Sequence, residues 1–377
     1  QAMCEKIRVG MIGAGQIANS HMKRYQDIPE AEIVAVSDLF PEKMAKAQAT
    51  YGIPNAHDDF KDLLARDDID SVDVCVHNNK HAPITIAALE AGKNVYCEKP
   101  MAGTYRDAAD MAAAAEASGR KLNIQMNTVF SQESLAAKRL IDDGNLGKLY
   151  YARSFGYRRR GRPFVDGYGT ANFVDKTICA GGALFDMGIY HIANIMFLLD
   201  NPEVLTVTGT THQELDMYED RREFSNFSVE EMGLGWARLA GGISFDIEET
   251  WAVHHDGSEA SKVCGSKGGI KLNPLTYFSS LSDMPMSSTF DLKGSNTRWH
   301  SCFPETAWYD SSQKHWIGAL LGKVPLLPCA EYALNTALIS EGIFMSAKLG
   351  RELSADEIRE KSVSTAIDPY TPEKVWG

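Results

Sequence analysis

The 377-residue sequence contains no CxxC pair. Its seven cysteines stand singly at 4, 75, 97, 179, 264, 302 and 329, an odd number without the spacing of a disulfide framework or a zinc site. That usage points to a reducing, cytoplasmic setting. No apolar run approaches the ~18 residues needed to cross a bilayer, and no basic-then-apolar signal segment opens the chain, so no membrane partner is expected. Excess positive charge is missing too. The formal net charge is −12, which argues against a nucleic-acid surface. The one basic cluster, Arg158, Arg159, Arg160 and Arg162, lies in a glycine-rich stretch and reads as a solvated loop in preference to an anion site. No histidine–carboxylate set has metal-site spacing, so no metal is expected.

What is present is usual for a globular protein, with 44% hydrophobic and 23% charged residues. The length predicts two domains, placed at 1–128 and 129–377. The first third alternates β-branched runs with helix-like segments, the pattern of a parallel sheet covered on both faces. Strands are predicted at 6–13, 32–38, 71–76, 94–97 and 121–126. Helices fall between them, with Pro41 suited to a first turn and Gly52, Gly92 and Gly119 to helix stops.

The stretch "GMIGAGQIANSHM" (10–22) passes from strand to helix through Gly13-x-Gly15-x-x-Ala18. Gly13 permits a tight turn, Gly15 lets a pyrophosphate approach the backbone, and Ala18 allows close helix–strand packing. Gln16 and Ile17 occupy the first helical turn, where free N–H groups and the helix dipole meet phosphates. The second strand ends in Asp38, 20 residues past Ala18. A carboxylate there accepts from the adenosine ribose hydroxyls and repels a 2′-phosphate. No Arg or Lys follows immediately, so the cofactor expected is NAD, with NADP disfavoured. Two later stretches leave strands at the ligand-binding end of such a sheet: "VHNNKHAP" (76–83) and "YCEKPMA" (96–102). Lys99, in the second, is either an ordinary surface lysine or a cation placed to hold a substrate hydroxyl and help its proton leave.

These pieces, together with "GGALFDMGIYHIANIMFLL" (181–199) and "ALISEGIFMSAKLG" (337–350), resemble the Gfo/Idh/MocA oxidoreductases over nearly the whole chain. The resemblance implies a Rossmann doubly wound parallel sheet followed by a C-terminal α/β domain. That second domain would carry a large, mostly antiparallel open sheet, one face of which often makes a homo-oligomer interface. Strand-like runs at 149–158, 203–212, 232–240, 242–253 and 262–267 agree, as does a long helix at about 331–349 stopped by Gly350. Two stretches, 156–180 and 274–307, show no periodicity and are expected as loops that cover the cleft or extend an interface.

In a regular helix over 181–199, Asp186 and Tyr190 are one turn apart, while His191 lies ~140° from Asp186. The family often has Asp-x-Gly-x-His here, the histidine acting as acid/base with the aspartate and the motif lysine. This chain has Tyr190 at that place, as the sugar-oxidising branch that includes glucose–fructose oxidoreductase does. The resemblance thus implies Tyr190 as proton carrier, its pKa lowered by Lys99, with Asp186 holding the substrate. The rivals are His191 after a local helix distortion, or both residues as ordinary packing. On the cofactor side the matching positions are His77, Asn78, His81, Glu98 and Asn127; His77 departs from the family's pattern, and Val129 stands where an arginine is common. His254 and His255 end a strand and read as solvated.

The function expected is an NAD-dependent dehydrogenase transferring hydride to or from a ring secondary alcohol of a sugar, glycoside or cyclitol. Two alternatives stay open: NAD-retaining, redox-assisted glycoside cleavage, and a non-catalytic regulator that senses dinucleotide and sugar.

Overall fold

The computed structural model describes residues 6–371, so Cys4 lies outside the described residues. Six strands form the first sheet: β1 (Ile7–Ile12), β2 (Ala31–Ser37), β3 (Asn55–His57), β4 (Ser71–Val74), β5 (Asn94–Cys97) and β6 (Leu122–Ile124). Their order is β3-β2-β1-β4-β5-β6, all parallel. Both faces are buried, as parallel sheets require. Ile12, Val72, Val74 and Val95 face one core, whereas Val9, Met11, Val36 and Tyr96 face the other. The helices Pro41–Tyr51 and Tyr105–Ser118 end on Gly52 and Gly119 in the left-handed conformation, as expected of helix stops.

Three residues of β3 escaped the sequence reading. They show no periodicity and are held at the edge by pairing with β2 and by Asn55, whose Nδ2 donates to the Val34 carbonyl at 2.8 Å.

The second sheet has nine strands. They are β7 (Leu149–Tyr157), β8 (Val204–His212), β9 (Met232–Leu239), β10 (Ile243–Thr250), β11 (Lys262–Gly265), β12 (Gly269–Lys271), β13 (Thr276–Leu281), β14 (Met284–Thr289) and β15 (Leu353–Ser354). The order is β14-β13-β12-β11-β7-β10-β9-β8-β15. All pairs are antiparallel except β10 with β7. The stretch 274–307, expected as a loop, instead adds the β13–β14 hairpin and the helix Leu292–Cys302. Its strands lie at the sheet margin with Leu281 and Met284 exposed, so neither face imposes an apolar alternation on the sequence.

One apolar core runs from the first sheet through the helices Ile189–Leu198 and Cys329–Leu349 into the second sheet. The chain also returns to the first sheet: Trp316, on the helix Ser312–Leu320, packs under β1 and β5, and its indole donates to Ser71 Oγ at 3.0 Å. The segment Lys176–Leu198 is long and apolar enough to cross a membrane, but 78% of its most apolar window is buried inside the protein. It belongs to the core. The cysteines among the described residues are free thiols.

Candidate active site

The helix Gln16–Gln26 begins after Gly15 with no side chain capping it, so its first N–H groups are open. A Cβ on Gly15 would meet nothing within 4 Å, whereas one on Gly13, at φ +98°, would lie 2.2 Å from the Cys75 carbonyl oxygen. The turn therefore demands glycine at 13 and leaves space over 15. Asp38 closes the cradle: Ala14 N–H donates to its Oδ2 at 2.7 Å and Phe40 N–H to its Oδ1 at 2.9 Å. Each carboxylate oxygen keeps further acceptor capacity for a ribose hydroxyl. Gln16 and Ile17 are exposed beside the open N–H groups. An uncapped helix end, a backbone cradle free of Cβ atoms and an acid at the end of the second strand fit a dinucleotide.

Behind the cradle lies a buried charge network. His21 Nδ1 is 2.9 Å from Asp73 Oδ2 and its Nε2 is 2.9 Å from Glu98 Oε1. Burial opposes a charge on this imidazole, yet Asp73 outweighs it and holds the pKa well above the usual histidine range. Cys75 joins the same cluster. Bonded through both ring nitrogens, His21 clamps Asp73 of β4 to Glu98 beyond β5. Glu98 Oε2 accepts the Lys99 N–H at 2.8 Å. Glu98, expected at the cofactor, is thus buried and anchors Lys99 from behind. His81 is likewise fully buried, its ring nitrogens 2.7 Å from the Pro100 carbonyl oxygen and 3.0 Å from that of Val76. It ties the two ligand-facing loops together rather than reaching the cofactor surface.

Lys99 emerges from this clamp onto Asp186. Its Nζ donates to Asp186 Oδ1 and to the Asp186 carbonyl, both at 2.9 Å, and sits 4.7 Å above the Tyr190 ring centroid. Burial works against the ammonium, but Asp186, Tyr190 and Glu98 outweigh it and raise its pKa. Burial also penalises the Asp186 carboxylate, and there Lys99 and Arg158 prevail and lower its pKa. Tyr190 is different. Burial raises its pKa more than Lys99 lowers it, so the phenol stays above its ordinary value. The expected lowering by Lys99 is present in sign and is overridden by desolvation.

The helix is also locally distorted. Leu184–Gly188 is a π-turn, with its hydrogen bonds one residue longer than in an α-helix, before Ile189–Leu198 continues as a regular helix. The wider turn reduces the angle between Asp186 and His191 from the regular-helix value, and Asp186 is among the charges acting on the imidazole. His191 Nδ1 is 2.8 Å from the buried Glu249 Oε2, and Ser154 Oγ donates to Glu249 Oε1 at 2.5 Å. Burial disfavours the imidazolium, but Glu249 overrides it and raises the pKa of His191. Gly156 makes room for this pair: a Cβ there would fall 1.9 Å from Glu249 Oε2 and 2.8 Å from His191 Nδ1.

Lys99, Asp186 and Tyr190 therefore meet at one place, with the His191–Glu249 pair on the next residue of the same helix. Asn78 lies on the adjoining loop, where its Nδ2 donates to the Cys179 carbonyl at 2.7 Å and joins the two halves of the chain. His77 packs edge-on against Phe173, with ring centroids 5.8 Å apart. Asn127 opens the turn whose next residue, Thr128, donates to the Tyr190 carbonyl at 3.0 Å.

Several site residues were not anticipated. Arg158, read as solvated, has Nη1 3.5 Å from Asp186 Oδ2 and also donates to the Tyr168 hydroxyl. Trp251 Nε1 donates to Asp186 Oδ2 at 3.0 Å, and Gln125 acts on the Tyr190 phenol to lower its pKa. Arg162, from the same basic cluster, is fully buried between Asp166 and Glu231. Only Arg159 and Arg160 are exposed as expected. A guanidinium supplied by β7's exit loop was not foreseeable, because charge alone does not reveal which arginine turns inward.

The comparisons with known proteins agree with this geometry. Residues 7–126 match the family described as oxidoreductase family, NAD-binding Rossmann fold, and residues 134–271 match the GFO/IDH/MocA C-terminal domain. D-glucoside 3-dehydrogenase of Escherichia coli (strain K12) is 31% identical over 72% of this chain and 78% of that protein. Inositol 2-dehydrogenase of Rhizobium meliloti (strain 1021) is 28% identical over 70% and 74%. In fold, the chain is similar to levoglucosan dehydrogenase in complex with NADH and levoglucosan, at TM-score 0.75, 21% identity, and 93% and 99% coverage. The cradle, the clamped lysine and the matched relatives place this chain in the Gfo/Idh/MocA oxidoreductase family, with its NAD-binding Rossmann domain.

Proposed function

We propose that this protein oxidises a ring secondary hydroxyl of a sugar, glycoside or cyclitol, reversibly and with NAD. The observation that carries the reading is the convergence of Lys99, Asp186 and Tyr190 at the ligand end of the parallel sheet. When bound, the dinucleotide accepts or returns the hydride. The protein's own task is to orient the hydroxyl and handle its proton. Lys99 Nζ donates to the reacting oxygen and stabilises negative charge developing on it. Asp186, held by Lys99 and Trp251, accepts from a neighbouring substrate hydroxyl, with Arg158 beside it. Tyr190 Oη carries the proton. With its pKa raised by burial, the phenol is poised as a donor in the reducing direction and needs the Lys99 cation to ionise in the oxidising one.

A second reading of the proton carrier rests on one observation. His191 is oriented by a buried carboxylate through Nδ1, the arrangement of a base held by an orienting group, which leaves Nε2 as its titrating atom. The substrate class is tested by incubating the protein and NAD with a panel of sugars, glycosides and inositols while following NADH absorbance. Release of free sugar without net NADH would move the assignment to redox-assisted glycoside cleavage, and silence across the panel with intact NAD binding would move it to a sensor.

Small-molecule substrates, a cytoplasmic setting and self-association belong to this reading. For the last, the outer face of the second sheet offers Tyr151, Trp236 and the Arg153–Glu248 pair. Analytical ultracentrifugation checks it; a monomer at micromolar concentration excludes it.

A further inference from the structure

A cleft of about 50 Å³ opens beside the carboxyl ends of β1, β2 and β4, with Gly13, Asp38, Phe60 and Val76 in its lining. In a sheet of this order the adenosine half of a dinucleotide lies next to the acid that ends the second strand. Two further lining residues, Pro369 and Tyr370, come from the far end of the chain. They ride on the segment 362–371, which leaves the helix Ala355–Lys361 and crosses the loop ends of the first sheet.

This crossing is fastened at every step. Ser362 Oγ donates to Glu341 Oε2 at 2.7 Å and accepts Arg106 N–H at 2.9 Å. Thr365 N–H donates to Asp107 Oδ2 at 2.9 Å, and its Oγ1 donates to Asn79 Oδ1 at 3.0 Å. Ile367 N–H donates to the Asn79 carbonyl at 3.0 Å. Tyr370 donates from its hydroxyl to Asp59 Oδ1 at 2.7 Å, and its ring centroid lies 5.8 Å from that of Phe60. Lys80 Nζ donates to the Thr371 carbonyl at 2.5 Å. At Gly103 a Cβ would fall 2.0 Å from Asn79 Oδ1 and 2.6 Å from Thr365 Oγ1, so the crossing point admits no larger residue.

Apart from the Tyr370–Phe60 ring contact, the fastenings named are single polar bonds. Val363 is 72% exposed and Tyr370 39% exposed, and none of the segment belongs to either apolar core. An element held this way opens at far lower cost than the sheets it crosses. Yet two of its residues are walls of the cofactor cleft.

We propose that segment 362–371 is part of the dinucleotide site: Tyr370 and Pro369 wall the adenosine pocket, and the strap carrying them sets how fast the cofactor exchanges. This deepens the NAD reading and rests on it. The test compares the full chain with a chain lacking residues 363–377 and with Tyr370→Ala, which removes the ring at a part-exposed position and keeps the test available if truncation unfolds the protein. NADH release is followed by its fluorescence on displacement with excess NAD, and equilibrium affinity is titrated with NADH and with ADP-ribose, which keeps the adenosine and both phosphates but lacks the nicotinamide. Truncation is expected to accelerate NADH release at least ~10-fold and Tyr370→Ala about 3- to 10-fold, as an aromatic contact of ordinary strength requires. ADP-ribose affinity should fall by a similar factor. Release rates within two-fold of the full chain, or slower, overturn the strap while leaving the NAD reading intact. Loss for NADH with none for ADP-ribose also overturns it, since the effect would lie at the other end of the cofactor. Failure of the full chain to bind either ligand would instead overturn the NAD reading.

Discussion

Replacing Tyr190 by Phe isolates the proton step, because the ring can stay where it is. The Lys99 ammonium sits over the ring face at 4.7 Å, a contact that Phe retains. The bond from Thr128 Oγ1 reaches the Tyr190 backbone carbonyl and is also kept. What disappears is the phenol hydroxyl, a change of about 0.5–1.5 kcal/mol in stability. If Tyr190 Oη carries the proton, kcat should fall ~10²–10⁴-fold, a barrier increase of about 3–5 kcal/mol. The effect on turnover would then far exceed the effect on folding. The pH profile adds a second readout. Burial raises the phenol's pKa and Lys99 opposes it, so wild-type oxidation should climb on the alkaline side as the phenol ionises, and Tyr190→Phe should lose that limb. His191→Asn is the companion. It leaves the buried Glu249 with Ser154 alone and should cost about 1–3 kcal/mol in stability, with a smaller kinetic effect. Steady-state NADH formation across pH, with thermal melts of each variant, separates the two. Turnover by Tyr190→Phe within ten-fold of wild type, beside a hundred-fold loss in His191→Asn, would refute the assignment and transfer the role to the His191–Glu249 pair.

Other consequences can be checked in the same protein. Asp38→Ala should weaken NAD binding ~10-fold or more, by removing both a ribose acceptor and the partner of the Ala14 N–H, and should narrow discrimination against NADP; unchanged selectivity in titrations with both cofactors would contradict the ribose role. Arg158→Ala should raise KM for the sugar ~10-fold with a smaller change in kcat, since the guanidinium flanks Asp186 without touching Lys99 or Tyr190 in any bond seen here; an unaffected KM rejects it as a substrate contact. Glu230 is buried, accepts the Gly182 and Leu184 N–H groups at the start of the π-turn, and has its pKa pushed up by burial to about 7. A raised carboxyl pKa contributes stability that is complete below the unfolded value near 4.5 and is lost as pH rises through about 7. Wild-type melting temperature should therefore fall between pH 5 and 8, and Glu230→Gln should flatten that slope; parallel slopes in the two proteins would show that another group is responsible.

Much of the first sheet was readable because parallel strands buried on both faces are continuous apolar runs, and their helices end on glycines that tolerate a left-handed cap. The cofactor cradle was readable for a related reason: only glycine satisfies the backbone at 13, and the acid follows at a set distance in a βαβ unit. The reacting cluster was readable in part. Lys99, Asp186 and Tyr190 were expected at one site; that Lys99 and Asp186 form an ion pair there was not foreseen.

Other features depend on contacts between distant segments, which leave no periodic trace. Arg158 and Arg162 are four residues apart in one basic run, yet one reaches Asp186 and the other is sealed between Asp166 and Glu231. The π-turn that brings Asp186 toward His191 is pinned by Glu230, 46 residues beyond Leu184. Glu98 and His81, read as cofactor contacts from their place in a motif, turn out to brace the loops from within. By itself the sequence determined the parallel sheet and the glycine turn, since these follow from backbone geometry and local spacing, whereas the candidate reacting side chains came from the family resemblance. Which groups share a charge, which are desolvated, and which distant segment lies against the cleft beside Asp38 were decided only by the tertiary structure, because Coulomb and burial energies depend on distance in space rather than on distance along the chain.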